Sequence, residues 1–417
     1  MVQDLGLELR RTGALPRRLA KRSSIDPFIV MDVMREANAH EAEGRDIIHM
    51  EVGQPGTPAP RAARERARQA LETERLGYTD ALGLPALRER IARYYQERYQ
   101  VSVAPEHVVV TSGSSAGFVL AFLAVLDPGD ALLLPSPGYP CYRQILSALG
   151  AKPILIETGA PSRWMPSPGD LDRFGEEAAG LLVASPNNPT GTMVSTARLA
   201  ELADCCRGQG LWLISDEIYH GLEYEAPADT ALAHWDAAIV VNSFSKYFSM
   251  TGWRIGWLVV PEELVRPMER LAQNLYISPP AISQVAALGA FDGIEELEAI
   301  KAGYAANRAL LLNELPAAGL TEILPADGAF YLYADVSALT LDSAAFAKRM
   351  LREIGVAITP GIDFDPVRGN RFVRLSYAGP HAAMREATSA SSAGSSASAA
   401  TSRGEAECCL PWSRFRP

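Results

Sequence analysis

Ser243-Phe-Ser-Lys-Tyr-Phe-Ser-Met-Thr-Gly-Trp-Arg-Ile-Gly256 follows the apolar run Ala237-Ala-Ile-Val-Val241, with Asn242 between them. A short apolar run bounded by polar punctuation reads as a buried strand. A lysine placed just past such a strand holds its amine in a cleft rather than in bulk water. Desolvation disfavours the ammonium form, and the neutral amine attacks carbonyls to make a Schiff base. Arg254 follows in the same segment, a fixed positive charge suited to a phosphate dianion. Ser243 and Ser245 add hydroxyl donors. A lone lysine is more often a solvated surface charge, so the weight of this reading rests on what the rest of the chain brings to the same place.

Working outward, the chain from His107 alternates strand, loop and helix, which predicts an α/β fold with a mostly parallel central sheet flanked by helices. Val108-Val-Val-Thr111 reads as a strand, and Ser112-Gly-Ser-Ser-Ala-Gly117 turns into a helix reaching Leu126. Ala131 to Leu134 is a strand ending at Pro135-Ser-Pro-Gly-Tyr-Pro140. Leu181 to Ala184 runs into Ser185-Pro-Asn-Asn-Pro-Thr-Gly191, and Leu211 to Ile214 into Ser215-Asp-Glu-Ile-Tyr219. With the lysine strand, five strand candidates deliver polar residues at their carboxyl ends. Ligands of open α/β sheets bind in the crevice outside that edge.

Asp216 at such an end needs a cationic partner, which a protonated pyridine nitrogen supplies; a helix cap or a surface position is the bland alternative. The pair would keep the ring an electron sink. Tyr219 and Asn188 can donate to a phenolate oxygen on the same ring. Ser114, Ser115 and Ala116 open a helix whose N-terminal amides and dipole favour phosphate. Tyr139, in a Pro/Gly-rich loop, can stack on a flat ring or merely pack its loop. An amine nucleophile, a phosphate clamp and a carboxylate under a ring together fit pyridoxal 5′-phosphate. Arg374, flanked by Val373 and Leu375 in an alternating strand, suits a substrate carboxylate held bidentately; an internal salt bridge is the alternative.

Composition sets the outer bounds. The chain has 417 residues, 48% hydrophobic and 21% charged, with a net charge of −10. Such a balance is ordinary for a globular enzyme and makes nucleic acid an unlikely partner. No apolar run approaches the roughly 20 residues needed to cross a bilayer. The five cysteines, Cys141, Cys205, Cys206, Cys408 and Cys409, show no metal spacing and no paired framework, so a reducing, cytoplasmic setting is expected. No GxGxxG or Walker pattern occurs.

Asn187-Asn-Pro-Thr-Gly191, Asp216-Glu-Ile-Tyr219, Ser243-Phe-Ser-Lys246, Gly252-Trp-Arg254 and Arg371-Phe-Val-Arg374 together resemble the class I/II aminotransferases, fold-type I enzymes of the aspartate aminotransferase superfamily. The resemblance covers roughly Ile25 to Ala387. It implies that Lys246 forms the Schiff base and shuttles the proton, with Asp216 on the pyridine nitrogen. Asn188 and Tyr219 would meet the ring oxygen. Ser243, Arg254, Ser114, Ser115 and Ala116 would form the phosphate cup, with Tyr139 stacked on the ring. It further implies that Gly53, Asn188 and Arg374 bind the substrate carboxylate, and that Tyr78 reaches the phosphate of the neighbouring subunit in a homodimer. The implied substrates are an amino acid and a 2-oxo acid. A carbon–sulfur lyase or an amino acid decarboxylase of the same fold is the alternative.

The expected organisation is a flexible arm over 1–24, a small domain from 25–50 and 291–387, and a large cofactor domain over 51–290. A disordered or aberrant Ser/Ala-rich tail is expected over 388–417. Phe28, Ile29 and Val30 put apolar bulk in the N-terminal segment that covers the substrate side chain in similar enzymes. No arginine stands out for a distal carboxylate. Both features favour neutral, apolar or aromatic amino acids.

Overall fold

The computed structural model describes residues 17–317 and 319–388. Most of the arm and nearly all of the Ser/Ala tail expected from the sequence lie outside these residues. A seven-stranded sheet organises the molecule: β1 (Val108–Thr111), β2 (Ala131–Ser136), β3 (Lys152–Glu157), β4 (Gly180–Ala184), β5 (Trp212–Asp216), β6 (Ile239–Ser243) and β7 (Gly256–Val259). Their spatial order is β1-β7-β6-β5-β4-β2-β3, and every neighbouring pair is parallel except the two made by β7. Strands β1, β2 and β4 to β7 are buried along nearly their whole length. That is the condition under which parallel strands read as continuous apolar runs.

Two strands escape a reading by apolar runs, and each has a reason. Strand β3 lies at the sheet edge, and its residues are mostly half-exposed or exposed, so its sequence Lys-Pro-Ile-Leu-Ile-Glu carries no clean pattern. Strand β7 is only four residues long and begins two residues after Arg254, hidden behind the lysine segment. Strand β2 also continues past the expected Leu134 through Pro135 to Ser136. Its ladder to β4 spans only Leu132 and Leu133, so the missing N–H of Pro135 leaves no partner bond unmade on that side.

A second, smaller antiparallel sheet contains β8 (Glu322–Ile323), β9 (Tyr331–Asp335), β10 (Thr359–Pro360) and β11 (Phe372–Ser376), in the order β10-β11-β9-β8. The helix Ile29–Ala42 packs beside it. The stretch Asp46 to Val52 forms only a two-residue strand, Ile48–His49, parallel to Val356–Ala357. The break expected at Ser278 to Pro280 separates the helices Glu262–Leu275 and Ala281–Ala290. The helix begun at His381 runs to Thr388. It buries Met384 and Ala387, and the ring Nδ1 of His381 lies 2.8 Å from Asn307 Oδ1 on the helix Ile294–Glu314.

Candidate active site

The lysine segment turns because both flanks of Lys246 are anchored. Phe244 and Phe248 are 0% and 2% exposed, and their rings meet each other and the ring of Trp257 or Phe291 at 4.9 to 5.4 Å. Burying each phenylalanine is worth about 2–3 kcal/mol. The chain crosses back through Phe244 N–H to Ile255 C=O (3.1 Å) and Met250 N–H to Phe244 C=O (3.0 Å). Lys246 is thereby held at the carboxyl edge of the sheet, where Nζ donates to Gly53 C=O at 2.5 Å. Burial pushes its pKa down from 10.5 to about 7. The charges of Arg374 and Arg254 add to the fall, and Asp216 opposes it. A substantial share of the amine is therefore neutral near pH 7, where an ordinary lysine is almost wholly charged.

Asp216 ends β5 in the same cleft, fully buried. Tyr142 donates its hydroxyl to one carboxylate oxygen and Ile218 N–H donates to the other at 3.0 Å. Burial raises the carboxyl to about 6, against the lowering effect of those two donors and of Lys246. The neighbouring Glu217 faces the other way. Its Oε1 accepts from Ser215, Thr230 and the Ala231 amide, and burial lifts it to about 8.

At the far end of the lysine segment Arg254 adopts φ 49°, a left-handed conformation that costs a non-glycine residue about 1 kcal/mol. The reason lies next to it. Gly113, with φ +85°, caps the helix Ser114–Val125, and a Cβ there would stand 2.4 Å from the Arg254 guanidinium. An exposed arginine lies against the amino end of a helix, two positive features facing the same solvent-open space. Ser114 and Ala116 sit in the first turn and Ser115 points to solvent. Ser243 is turned inward, within 2.8 Å of Ser245 Oγ and 3.0 Å of Ile255 C=O. Its single proton goes to one of those two oxygens, and its own oxygen accepts from Ser245 N–H at 3.1 Å.

The small sheet closes the cleft from the opposite side. Arg374, on β11, is 1% exposed and stacks at 4.3 Å on Tyr331 and 4.7 Å on Phe364. It donates to Asn188 Oδ1 at 2.8 Å, to the Glu51 carbonyl, and to Thr359 Oγ1 at 3.3 Å. Its Nε has no partner among the described residues. With Oδ1 taken, Asn188 is left with its amide N–H groups to donate. Tyr219 shares a 2.7 Å hydrogen bond with Tyr331, whose hydroxyl occupies the space beside Gly53. A Cβ at Gly53 would stand 1.7 Å from that oxygen, so only glycine fits.

Lys246, Asp216, Asn188, Tyr219, Gly53 and Arg374 thus meet in one cleft, with the Arg254 and Gly113 pair at its mouth. Tyr139 reaches it through Tyr142, ring to ring at 5.2 Å. Among the described residues no salt bridge to an acidic residue holds Arg374, and its hydrogen bonds go to Asn188, the Glu51 carbonyl and Thr359. Tyr78 is 84% exposed on this chain. Sequence reasoning missed Tyr142, Tyr331 and the Glu51 carbonyl. Tyr142 was within reach, since it lies one helical turn after Tyr139, whereas a backbone acceptor leaves no mark on side-chain identity.

Pyridoxal phosphate fits these residues. A buried carboxylate suits a ring cation, an amine of lowered pKa suits a carbonyl, and an exposed guanidinium beside a helix amino end suits a dianion. Fold and site together define a fold-type I pyridoxal-phosphate enzyme. The family model "Aminotransferase class I and II" matches residues 45–390. The valine–pyruvate aminotransferase of Mycobacterium tuberculosis is 48% identical over 375 residues, spanning 89% of this chain and 96% of that protein. The crystal structure of an aminotransferase from the same organism superposes with a TM-score of 0.87 at 47% identity, covering 89% of this chain and 97% of that one. Aspartate aminotransferase from Thermus thermophilus with maleate gives 0.84 at 33% identity, covering 89% and 98%. The chain belongs to the class I and II aminotransferases, and it is a pyridoxal-phosphate-dependent transaminase.

Proposed function

We propose that the enzyme moves the amino group of a neutral, apolar or aromatic L-amino acid to a 2-oxo acid, with Lys246 as covalent anchor of the cofactor and carrier of the proton. The observation that carries the substrate class is that Arg374 is the one fully buried arginine among the described residues. It supplies one carboxylate fork. On the side of Tyr139 the N-terminal segment brings an apolar ring, Phe28, edge-on to Tyr139 at 5.7 Å. The name of the Mycobacterium tuberculosis relative, with valine and pyruvate, agrees with that reading.

Bound pyridoxal phosphate supplies the electron sink that stabilises negative charge at Cα. Arg374 and the Asn188 amide hold the α-carboxylate, with the Gly53 backbone beside it. Lys246 Nζ, its pKa lowered by burial and by the nearby Arg374 and Arg254, would take the α-proton and return it on the cofactor side. Asp216, kept in place by Tyr142 and the Ile218 amide, faces the ring nitrogen, and Tyr219 and Asn188 face the ring oxygen. Arg254 and the amides of Ser114, Ser115 and Ala116 hold the phosphate, with Ser243 positioning Ser245 there. Tyr139 stacks on the ring.

The working unit is a homodimer in which the exposed Tyr78 crosses to the neighbour's phosphate. Its division into a large domain, 51–290, and a small one, 25–50 with 291–387, lets Arg374 approach the lysine as a unit. The setting is cytoplasmic. Among the described residues no helix is long and apolar enough to cross a membrane.

A half-reaction tests this directly. Valine or leucine added alone to the holoenzyme should bleach the cofactor band with one equivalent of 2-oxo acid per site, and pyruvate should restore it. A kcat/KM for aspartate well above that for valine would overturn the substrate class. Release of ammonia in place of a stable aminated cofactor would overturn the transfer.

A further inference from the structure

Three segments far apart in sequence meet at Asp363, which is 1% exposed and follows β10 in a tight turn. Its carboxylate accepts from the first amides of the helix Ile29–Ala42, Ile29 N–H at 3.3 Å and Val30 N–H at 3.2 Å. The residue in the capping position, Phe28, has no side-chain oxygen and makes no cap bond. The cap for this 14-residue helix therefore comes from a residue more than 330 positions away. The Asp363 carbonyl accepts from Arg143 Nη2 at 2.6 Å, on the helix that begins beside Tyr139. The next residue, Phe364, stacks under Arg374 and its carbonyl accepts from Gly138 N–H at 3.1 Å. A single turn thus ties together the N-terminal helix, the Tyr139 loop and the carboxylate-binding arginine.

We propose that Asp363 is a positioning residue for side-chain selection: by capping the N-terminal helix from outside, it holds Phe28 against Tyr139 and closes the apolar end of the cleft over the substrate side chain. The inference rests on the reading of the substrate as an apolar amino acid. Ordering falls mainly on Phe28, because the described chain before it is exposed and Asp26 is tethered to Gln144 at 3.2 and 3.4 Å. The side chain of alanine ends one bond from Cα and gains little from such a cover. A branched or aromatic side chain extends toward it and loses solvent when it closes.

The holoenzyme with Asp363→Asn, Phe28→Ala and the double substitution tests it, using alanine and leucine in the half-reaction. Asp363→Asn keeps the shape but turns an amide N–H toward the helix amides. It should lower kcat/KM for leucine about tenfold, the value of one charge-assisted hydrogen bond, and through KM rather than kcat. The loss for alanine should stay below about threefold. Phe28→Ala, which leaves the Asp363 network in place, should reproduce the selective loss, and the double variant should be no worse than Phe28→Ala alone. Amide exchange at Ile29 and Val30 should rise about tenfold in Asp363→Asn. Equal losses for alanine and leucine, additive losses in the double variant, or unchanged exchange at those two amides would overturn the latch. If the unaltered enzyme prefers aspartate to leucine, the substrate reading fails instead. The latch is then decided by the amide exchange and by additivity on whichever amino acid the enzyme takes.

Discussion

The two sides of the cleft are built differently. The floor comes from the carboxyl edge of one parallel sheet, where β5, β6 and the Ser185–Gly191 loop deliver Asp216, Lys246 and Asn188 within 60 residues of one another. The cover comes from both ends of the chain: Phe28 and Glu51 from one, Tyr331, Asp363 and Arg374 from the other. The floor is fixed by strand ladders and buried aromatic rings, so its groups are placed by local folding. Within the cover β9 and β11 share their own ladder, but single hydrogen bonds between remote segments tie that sheet to the floor and to the N-terminal helix, so its groups reach the cleft by tertiary contact. On the proposed reading, chemistry at Cα belongs to the floor and the grip on substrate mainly to the cover. Substitutions on the two sides should separate into kcat and KM effects.

The strongest test of that division is Lys246→Ala. It should leave the fold intact, since Phe244 and Phe248 still anchor the segment, and cost about 10⁴ or more in kcat because nucleophile and proton carrier are lost together. The cofactor should become removable by dialysis and its covalent absorption band should vanish. Turnover and band both surviving would move the chemistry elsewhere. On the cover, Arg374→Ala should raise KM for amino acid and oxo acid alike by about 10²–10³, the cost of leaving a buried carboxylate unpaired, with cofactor binding little changed. A parallel loss of cofactor would merge the two sides into one.

The floor was largely legible before the structure because strand and chemistry lie next to each other in sequence: an apolar run, then the polar residue it delivers. Lys246, Asp216 and Asn188 each sit at or just past such a run. Arg374 was legible for a different reason, as a charge flanked by valine and leucine. What stayed hidden shares one property: its partner is remote or is backbone. Asp363 has no local pattern that marks it as a cap, because the amides it caps belong to Ile29 and Val30. The grip of Arg374 on the Glu51 carbonyl says nothing in side-chain language. Ser243, matched to the phosphate by resemblance, also meets Ser245 and the Ile255 carbonyl, contacts that no local pattern marks.

The electrostatics sharpen the comparison further. Lys246 titrates near 7 in the folded chain against about 10.4 when unfolded, so between those values the unfolded chain holds one more proton. Its contribution makes the apoenzyme more stable as pH rises from 7 toward 10, by about 1.4 kcal/mol per pH unit. His49, beside Glu51 and Glu41, titrates near 9 when folded and acts oppositely from about 6.5 to 9. Denaturation of the unaltered apoenzyme alone would mix the two. The stability of the unaltered apoenzyme minus that of Lys246→Met should isolate the lysine and rise with pH over that window. A flat difference would mean that the amine is solvated.

The subtlest test is Tyr142→Phe, because it removes one hydroxyl beneath the floor and leaves its shape. Asp216 has two donors, Tyr142 and the Ile218 amide, and burial already holds its carboxyl at about 6. With the hydroxyl gone the charged form loses half its hydrogen-bonded support, so its pKa moves further up. The carboxylate opposite the cofactor ring is then partly protonated at neutral pH. Activity should fall about tenfold near pH 7, consistent with one hydrogen bond to a charged group, and recover as pH is raised. The acid limb of the kcat profile should shift upward, since Asp216 must be ionised to act. Tyr139→Phe is the matched control. Tyr139 touches Tyr142 ring to ring but makes no bond to Asp216, so it should change affinity without moving that limb. If both variants move it equally, the effect lies in aromatic packing of the floor, and the tyrosine hydroxyl has no share in setting the acid beneath the ring.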